Sequence, residues 1–535
     1  MRKAMVVVLA CVAAAIGVSR AEPPIVFEDV TEKAGLAGHL KGWELAHAAA
    51  WGDADGDGRP DLYIGAFADR PLYKTSNPPI PNMLFLNGPK GFVLSDEKEI
   101  RLEGKYARSS SALFVDLNNS GRLDLFVANH AAATGKCQSL LFENLGGGKF
   151  KDVTPKDGAW PSPFAMRNVA SVDIDGDGLL DLVFADGGYA NWRSGGGRLV
   201  VLRNKGNWQF EDVSAKYGLP PDGTVGMGLA IGDVNDDGLA DFFVCDCNRL
   251  FVSGPDGKYH ECQAGFFVKP VGKDSHTCGA AFADLNGDGL LDLVTTVHGQ
   301  PARIHVYLNK GIKDGMPQFV DVSMEAGVDK NFPVTGATGV PLKTAHVSLC
   351  DVDNDGRNDI LLSVIHKGEK DRIQPVVLRN LGVRDGVPRF SMPPMEKLIA
   401  YYAPGPVADY DRDGRVDVFL PTWFAEAPCY LFRNVTEGGH WLTVRVTGKG
   451  KGFNAMGVGA VVRAYKTSSA GGARALIARR DIVIGTGYAS GEEALAHIGL
   501  GGETECDVEV AWGKHRQVKS KVPADQLVTV GFVGE

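Results

Sequence analysis

Along this chain, runs of small and apolar residues alternate with acidic clusters and then with strand-like apolar runs, and the alternation recurs seven times. AAAW before Gly52 and GAAFA before Asp284 are runs of the first kind, and LYIGAF, LFVAN and LVTTV follow acidic clusters. Apolar runs bounded by turn residues predict strands, which makes each acidic cluster the connection of a hairpin. A third strand is offered by MLFLN, LLFEN, LVVLRN, RLFVS, IHVYLN, VVLRN and YLFRN, mostly followed by a glycine-containing turn. GFVLS, KFKDV, QFEDV, KYHEC, QFVDV and RFSM supply a fourth. The seventh repeat has no fourth strand of its own, but Phe27-Glu28-Asp29-Val30 matches QFEDV and precedes the first repeat. Four strands per repeat of about 60 residues predict one blade each. The expected fold class is therefore all-β: a seven-bladed β-propeller over residues 22–436, its seventh blade closed by residues 27–30, and a smaller β-rich domain over residues 440–535. Closure of this kind leaves no unpaired blade edge.

The acidic clusters share the pattern D-x-(D/N)-x-(D/S)-G-x-x-D, and their starts are separated by 63, 57, 60, 51, 67 and 58 residues. Oxygen ligands at loop positions 1, 3, 5 and 9, a carbonyl at position 7 and a glycine at position 6 for the sharp turn can wrap one hard cation. Calcium, which accepts about six to eight oxygens in flexible geometry, fits best. The expected ligands are Asp53, Asp55, Asp57 and Asp61 in the first loop, and Asp116, Asn118, Ser120 and Asp124 in the second. The third offers Asp173, Asp175, Asp177 and Asp181, and the fourth Asp233, Asn235, Asp237 and Asp241. Asp284, Asn286, Asp288 and Asp292 form the fifth set, Asp351, Asp353, Asp355 and Asp359 the sixth, and Asp409, Asp411, Asp413 and Asp417 the seventh. Up to seven calcium ions follow, with the second site weakest because Asn118 and Ser120 replace acids. Soft metals are disfavoured, since the loops hold no cysteine or histidine. An EF-hand needs a bidentate glutamate at position 12, and here that position is Ile64, Val127, Phe184, Val244, Thr295, Leu362 and Leu420.

The N-terminus adds a compartment. Arg2 and Lys3 precede an apolar run from Ala4 to Val18, and Ser19-Arg20-Ala21 has the small residues of a cleavage site. Residues 1–21 are expected to be a signal peptide cut after Ala21, giving a secreted, periplasmic or cell-surface protein with no membrane span in the mature chain. Loss of Arg2, Lys3 and Arg20 moves the formal charge from -9 to -12. Seven calcium ions would bring it to about +2, so the acidity belongs to the loops and does not identify a partner. Eight cysteines remain after the leader; an even number permits disulfides without assigning them. Cys245 and Cys247 are expected to alternate onto one face of a strand.

These repeats resemble the FG-GAP or VCBS class of integrin-type propellers, from about Ile25 to Thr436. The tail from about His440 looks like an ASPIC/UnbV domain, carried by HWLTVRV, GVGAVVRAY, GTGYASGEE, AHIGLG and VEVAWG, with a departure at Gly513-Lys514-His515. Together they resemble the cartilage acidic protein family. That resemblance implies extracellular interaction or glycan recognition and carries over no catalytic residue. Read from its residues, the tail is a separate β-rich domain. The GVGA at Gly457 lacks the full phosphate-binding pattern, and Ser490 does not sit in a nucleophile elbow.

The functional expectation is an exported calcium-binding propeller that acts as an adhesion or glycan-recognition protein, with an extracellular glycan or protein as partner. Nucleic acid is disfavoured by the acidic chain and the lack of a basic stripe. The alternative is an exported enzyme acting on polysaccharide, with a site on one propeller face. His47, His276 and His346 precede their loops, and His130, His298 and His366 follow theirs, at spacings that could bring several into one mouth. Trp192 and Trp423 are candidates for stacking on sugar.

Overall fold

The computed structural model describes residues 23–534 apart from 44, 68–80, 102–107, 131–137, 157–159, 161–165, 188–196, 270–275, 300–301, 338, 340–341, 425–426 and 468–473. The expected signal peptide, Cys137 and Trp192 lie outside the described residues.

Nearly all regular structure is strand, as the alternation predicts, and the arrangement is propeller-like. In the first repeat an inner strand, Ala46–Gly52, is joined through the acidic loop to Asp61–Ala66; Met83–Gly88 and Gly91–Leu94 follow, all antiparallel. Six further sheets keep this order, with inner strands Ser109–Val115, Met166–Val172, Leu229–Gly232, His276–Ala283, Val347–Cys350 and Val407–Ala408. In the seventh sheet the fourth strand is Phe27–Asp29, paired with Tyr430–Asn434 so that Phe27 faces Asn434. Inner strands of neighbouring sheets approach closely, which demands small residues. AHAAAWG and SSSALFV are buried along their whole length. A Cβ on Gly52 would come within 2.5 Å of Phe114 in the next sheet.

Buried amides stitch the sheets together. Asn144 Nδ2 donates to the carbonyl of Ala54 in the preceding loop at 2.8 Å, Asn204 to Leu117 at 2.7 Å, and Asn309 to Val234 at 2.9 Å. Asn380 donates to Leu285 at 2.9 Å and Asn434 to Val352 at 2.7 Å. Each acceptor is position 2 of an acidic loop, and each donor stands on the third strand of the following sheet. Asn87 makes the same bond to Tyr410, joining the seventh sheet to the first. In the fourth sheet Ser253 takes this place and turns its hydroxyl onto Asp237 and Asp241 instead.

The tail forms two sheets. In one, His440–Lys449 lies between Ala496–Gly501 and a parallel partner, Gln526–Val533. The other runs Leu476–Asp481, Val461–Lys466, Glu505–Trp512, His515–Pro523. Their apolar faces do not stand apart: Val444, Ile482 and Val510 share one core with Leu113, Phe126 and Leu182 of the second and third sheets. Burial of that joint surface favours a fixed seat over a tethered domain.

Candidate functional site

The acidic loops owe their shape to the carboxylates at two of their four expected ligand positions, 1 and 9. Position 9 accepts one backbone N–H from position 2 of its own loop and one from the third strand; in the first loop Asp61 takes them from Ala54 at 2.8 Å and Asn87 at 2.7 Å. The second and seventh loops repeat this through Asp124 and Asp417. At position 1 the carboxylate caps the turn, as when Asp351 accepts from Asp355 at 3.0 Å and Gly356 at 2.7 Å. Position 4 is left-handed in every loop, from Asn119 at φ 53° to Gly56 at φ 86°.

Three ligand oxygens come within 4.8 Å of one another in four loops: Asp53, Asp55 and Asp57; Asp173, Asp175 and Asp181; Asp351, Asp353 and Asp355; Asp409, Asp411 and Asp417. These are the four loops in which all four ligand positions are acids. Burial pushes Asp61, Asp124, Asp233, Asp351 and Asp409 up to about 7, Asp181 to about 8 and Asp173 to about 6, against the backbone N–H groups that draw them down. The buried Oδ1 of Asp411 accepts no hydrogen bond among the described residues. Crowded, buried carboxylates with an unmet oxygen fit a hard cation.

Guanidinium groups, which the sequence reading did not anticipate, already offset part of this charge. Arg203 pairs with Asp175 and, at 3.1 Å, with Asp177. Arg379 and Arg357 pair with Asp353 and Asp355. Arg433 bonds Asp411 and Asp413 at 2.6 Å each, and Arg415 also meets Asp413. The signal was present in LVVLRN, VVLRN and YLFRN, where an arginine precedes the stitching asparagine. In the first loop Arg59 lies 3.8 Å from Asp57.

At the opposite end of the inner strands the histidines gather around a segment of the tail. Residues 484–491, which overlap the GTGYASGEE motif of residues 485–493, run along the axis and touch all seven repeats. Gly487 N donates to Leu229 and Ala280 carbonyls at 3.1 and 2.9 Å. Asn168 holds Gly485 O and Ala489 N, Ser490 pairs with Ala49, and Ser490 Oγ accepts from Gly405 N at 3.0 Å. Tyr488 N donates to His346 Nδ1 at 3.0 Å, and Gly491 lies against Ala112. Glycine is required at 487: its φ is 81°, and a Cβ there would sit 2.5 Å from His346 Cε1.

Tyr488 carries the axis into a cluster of buried rings. Its hydroxyl is 2.8 Å from His47 Nε2, and His47 stacks on Phe67 with ring centres 4.5 Å apart. Trp423 meets both rings edge-on, and His130 lies against the other side of Phe67. His276 faces His298 across the fifth sheet and bonds Asp246 at 2.8 Å. Five of the six histidines thus converge; His366 instead lines a groove with Pro23 and Gln374. Burial pushes His346 down to about 4 and drives His298 well below its ordinary value, with Lys343 adding to the second effect. Both rings are uncharged at neutral pH. Cys245 and Cys247 do not share a strand face, because the strand ends at Val244 and a turn with Asp246 at φ 73° follows. All seven described cysteines are free thiols.

Residues 116–184 and 284–362 match the FG-GAP-like repeat, and residues 450–532 match the family described as ASPIC and UnbV. The chain is 26% identical over 522 residues to cartilage acidic protein 1 of Mus musculus, covering 91% of this chain and 73% of that protein. It is 27% identical over 388 residues to the Homo sapiens protein, covering 69% of this chain and only about half of the relative, 53%. Among solved structures, BP39L lectin from Burkholderia pseudomallei aligns with a TM-score of 0.38 at 12% identity, covering 71% of this chain and 93% of the lectin. A putative gluconolactonase aligns at 0.31 and 10%, covering 74% and 92%. The chain is an FG-GAP-repeat protein with an ASPIC and UnbV domain, related to cartilage acidic protein.

Proposed function

We propose that this is an exported calcium-binding protein whose ring, residues 22–436, and C-terminal domain, residues 440–535, together present a surface for an extracellular glycan or protein ligand. The observation that carries the calcium part is the approach of three carboxylates to within 4.8 Å in each of four loops. All seven loops are read as sites, the second weakest. The cluster of His47, Phe67, Trp423 and Tyr488, buried except at Trp423, supports the binding part, because it brings aromatic faces and polar atoms together at one end of the ring. Native mass spectrometry of the mature chain should show several bound calcium ions, and a glycan array read with and without chelator should show calcium-dependent binding to one sugar class. A metal-free protein would remove the first half of the reading. Silence across the array and in pull-downs from the source's envelope would remove the second.

The converging histidines favour one other reading, an exported enzyme acting on polysaccharide at that same end of the ring. Zinc, copper or iron in the purified protein, together with turnover of a bound sugar, would select it.

A further inference from the structure

Position 4 of each acidic loop lies between two expected ligand positions and is not itself a ligand. In the first, third and fifth loops it is Gly56, Gly176 and Gly287. In the other four it is Asn119, Asp236, Asn354 and Arg412, and every one of these side chains grips the tail. Asn119 Oδ1 accepts from Ala455 N at 3.0 Å. Asp236 takes Arg463 at 2.8 Å and Arg479 at 3.4 Å. Asn354 Oδ1 lies 2.8 Å from His497 Nε2, and Arg412 holds both oxygens of Glu493 at 2.9 and 2.7 Å.

The same residues tie each loop to its neighbour through the carbonyl of the glycine at position 6. Asn119 donates to Gly178 O, Asn354 to Gly414 O, and Arg412 to Gly58 O. Aspartate cannot donate, and at the fourth loop Arg479 of the tail supplies the missing bond, reaching Gly289 O at 2.8 Å while it holds Asp236. The tail thus reads four of the seven loops by their position-4 side chain.

We propose that position 4 is the keyed surface on which the C-terminal sheets seat, and that calcium uptake by the loops and seating of those sheets favour one another. The inference rests on the calcium reading above. Its physical basis is shared backbone: the left-handed residue that lets a loop wrap an ion is the residue whose side chain makes the interdomain bond. Emptying a loop frees its carboxylates to repel and loosens that residue, and linkage requires the reverse effect of equal size.

The test is hydrogen exchange of the full mature chain in calcium and in chelator, for the wild type and for Asp236→Gly, Asn354→Gly and Arg412→Gly. Glycine is tolerated at this position, since three native loops carry it there with positive φ. Expected are an unchanged calcium count by native mass spectrometry and about tenfold faster exchange in Ala496–Gly501 for each variant in calcium. Chelation should bring the wild type to similar or faster exchange. Calcium binding with no change in exchange, whether from chelation or from the variants, would overturn the inference and leave the calcium reading intact. No bound calcium would overturn the calcium reading and the linkage with it, even if the variants still loosened the tail.

Discussion

Asn87 Nδ2 donates to the carbonyl of Tyr410 at 2.8 Å, a bond between residues 323 positions apart that joins the first sheet to the seventh. Its second amide hydrogen goes to Pro60 O at 3.1 Å, so one buried side chain satisfies two carbonyls. Asn87→Ala leaves both unmet and should cost about 2–4 kcal/mol. Thermal unfolding checks this, and a loss under about 0.5 kcal/mol would show that the stitch does not hold the ring.

Stability of the calcium-free protein should fall as pH rises. Asp61, Asp181 and Asp351 titrate near 7, 8 and 7 in the folded chain against an ordinary 3.8. Between those limits the folded state holds more protons than the unfolded one, so the stability present near pH 4 drains away toward pH 8. Calcium competes with those protons, and its gain in melting temperature should be larger at pH 8 than at pH 5. A chelated sample that melts higher at pH 8 contradicts this.

The loops should not fill equally. In the sixth, Arg357 and Arg379 pair directly with the carboxylates, and in the seventh Arg415 and Arg433 do, whereas in the first Arg59 stands 3.8 Å from Asp57. A resident cation opposes an incoming one. In a calorimetric titration, Asp55→Asn should therefore remove the tightest site and Asp411→Asn a weaker one. The opposite order would mean that the arginines swing away at no cost.

On the axis, two substitutions separate backbone fit from the hydroxyl. Tyr488→Phe removes the hydroxyl, and with it the 2.8 Å contact with His47, and should cost about 1–2 kcal/mol. Gly487→Ala meets both a left-handed φ and His346, and should cost at least about 3 kcal/mol. Equal effects in thermal melts would place the axial segment outside the cooperative fold.

Glu492 lies 3.9 Å from His346, and burial pushes its carboxyl up to about 8. Since the folded value is raised, ionising it drains stability between about pH 4.5 and 8. Glu492→Gln escapes that loss, so the variant's advantage should grow over this range and level off above it. A flat difference across pH would show that the carboxyl is not desolvated.

The repeat architecture was legible because its signals are local: period-two apolar runs, one acidic turn per hairpin, and the stray FEDV segment at Phe27 that pairs with YLFRN. The acidic turns themselves were legible for the same reason. What the reading missed is non-local. The asparagines of the third strands stood in plain view, but their partners in the neighbouring sheet are 75 to 323 residues away. GTGYASGEE looked like a turn-rich piece of a separate domain, since nothing in its own pattern shows that seven strands will surround it. The position-4 residues of the acidic loops drew no attention in the sequence, because the surface they touch lies on the distant tail.

The axial segment also fixes the order in which this molecule can be completed. Inner strands that meet around residues 484–491 hold donors and acceptors, such as Asn168 and the Leu229 and Ala280 carbonyls, whose partners lie near the far end of the chain. A polypeptide emerging from its N-terminus can pair each hairpin as it appears, yet the centre stays unfilled until the last tenth of the sequence arrives. A product truncated before Gly485 would therefore keep the asparagine stitches between its sheets but leave these inner-strand donors and acceptors unmet at its centre.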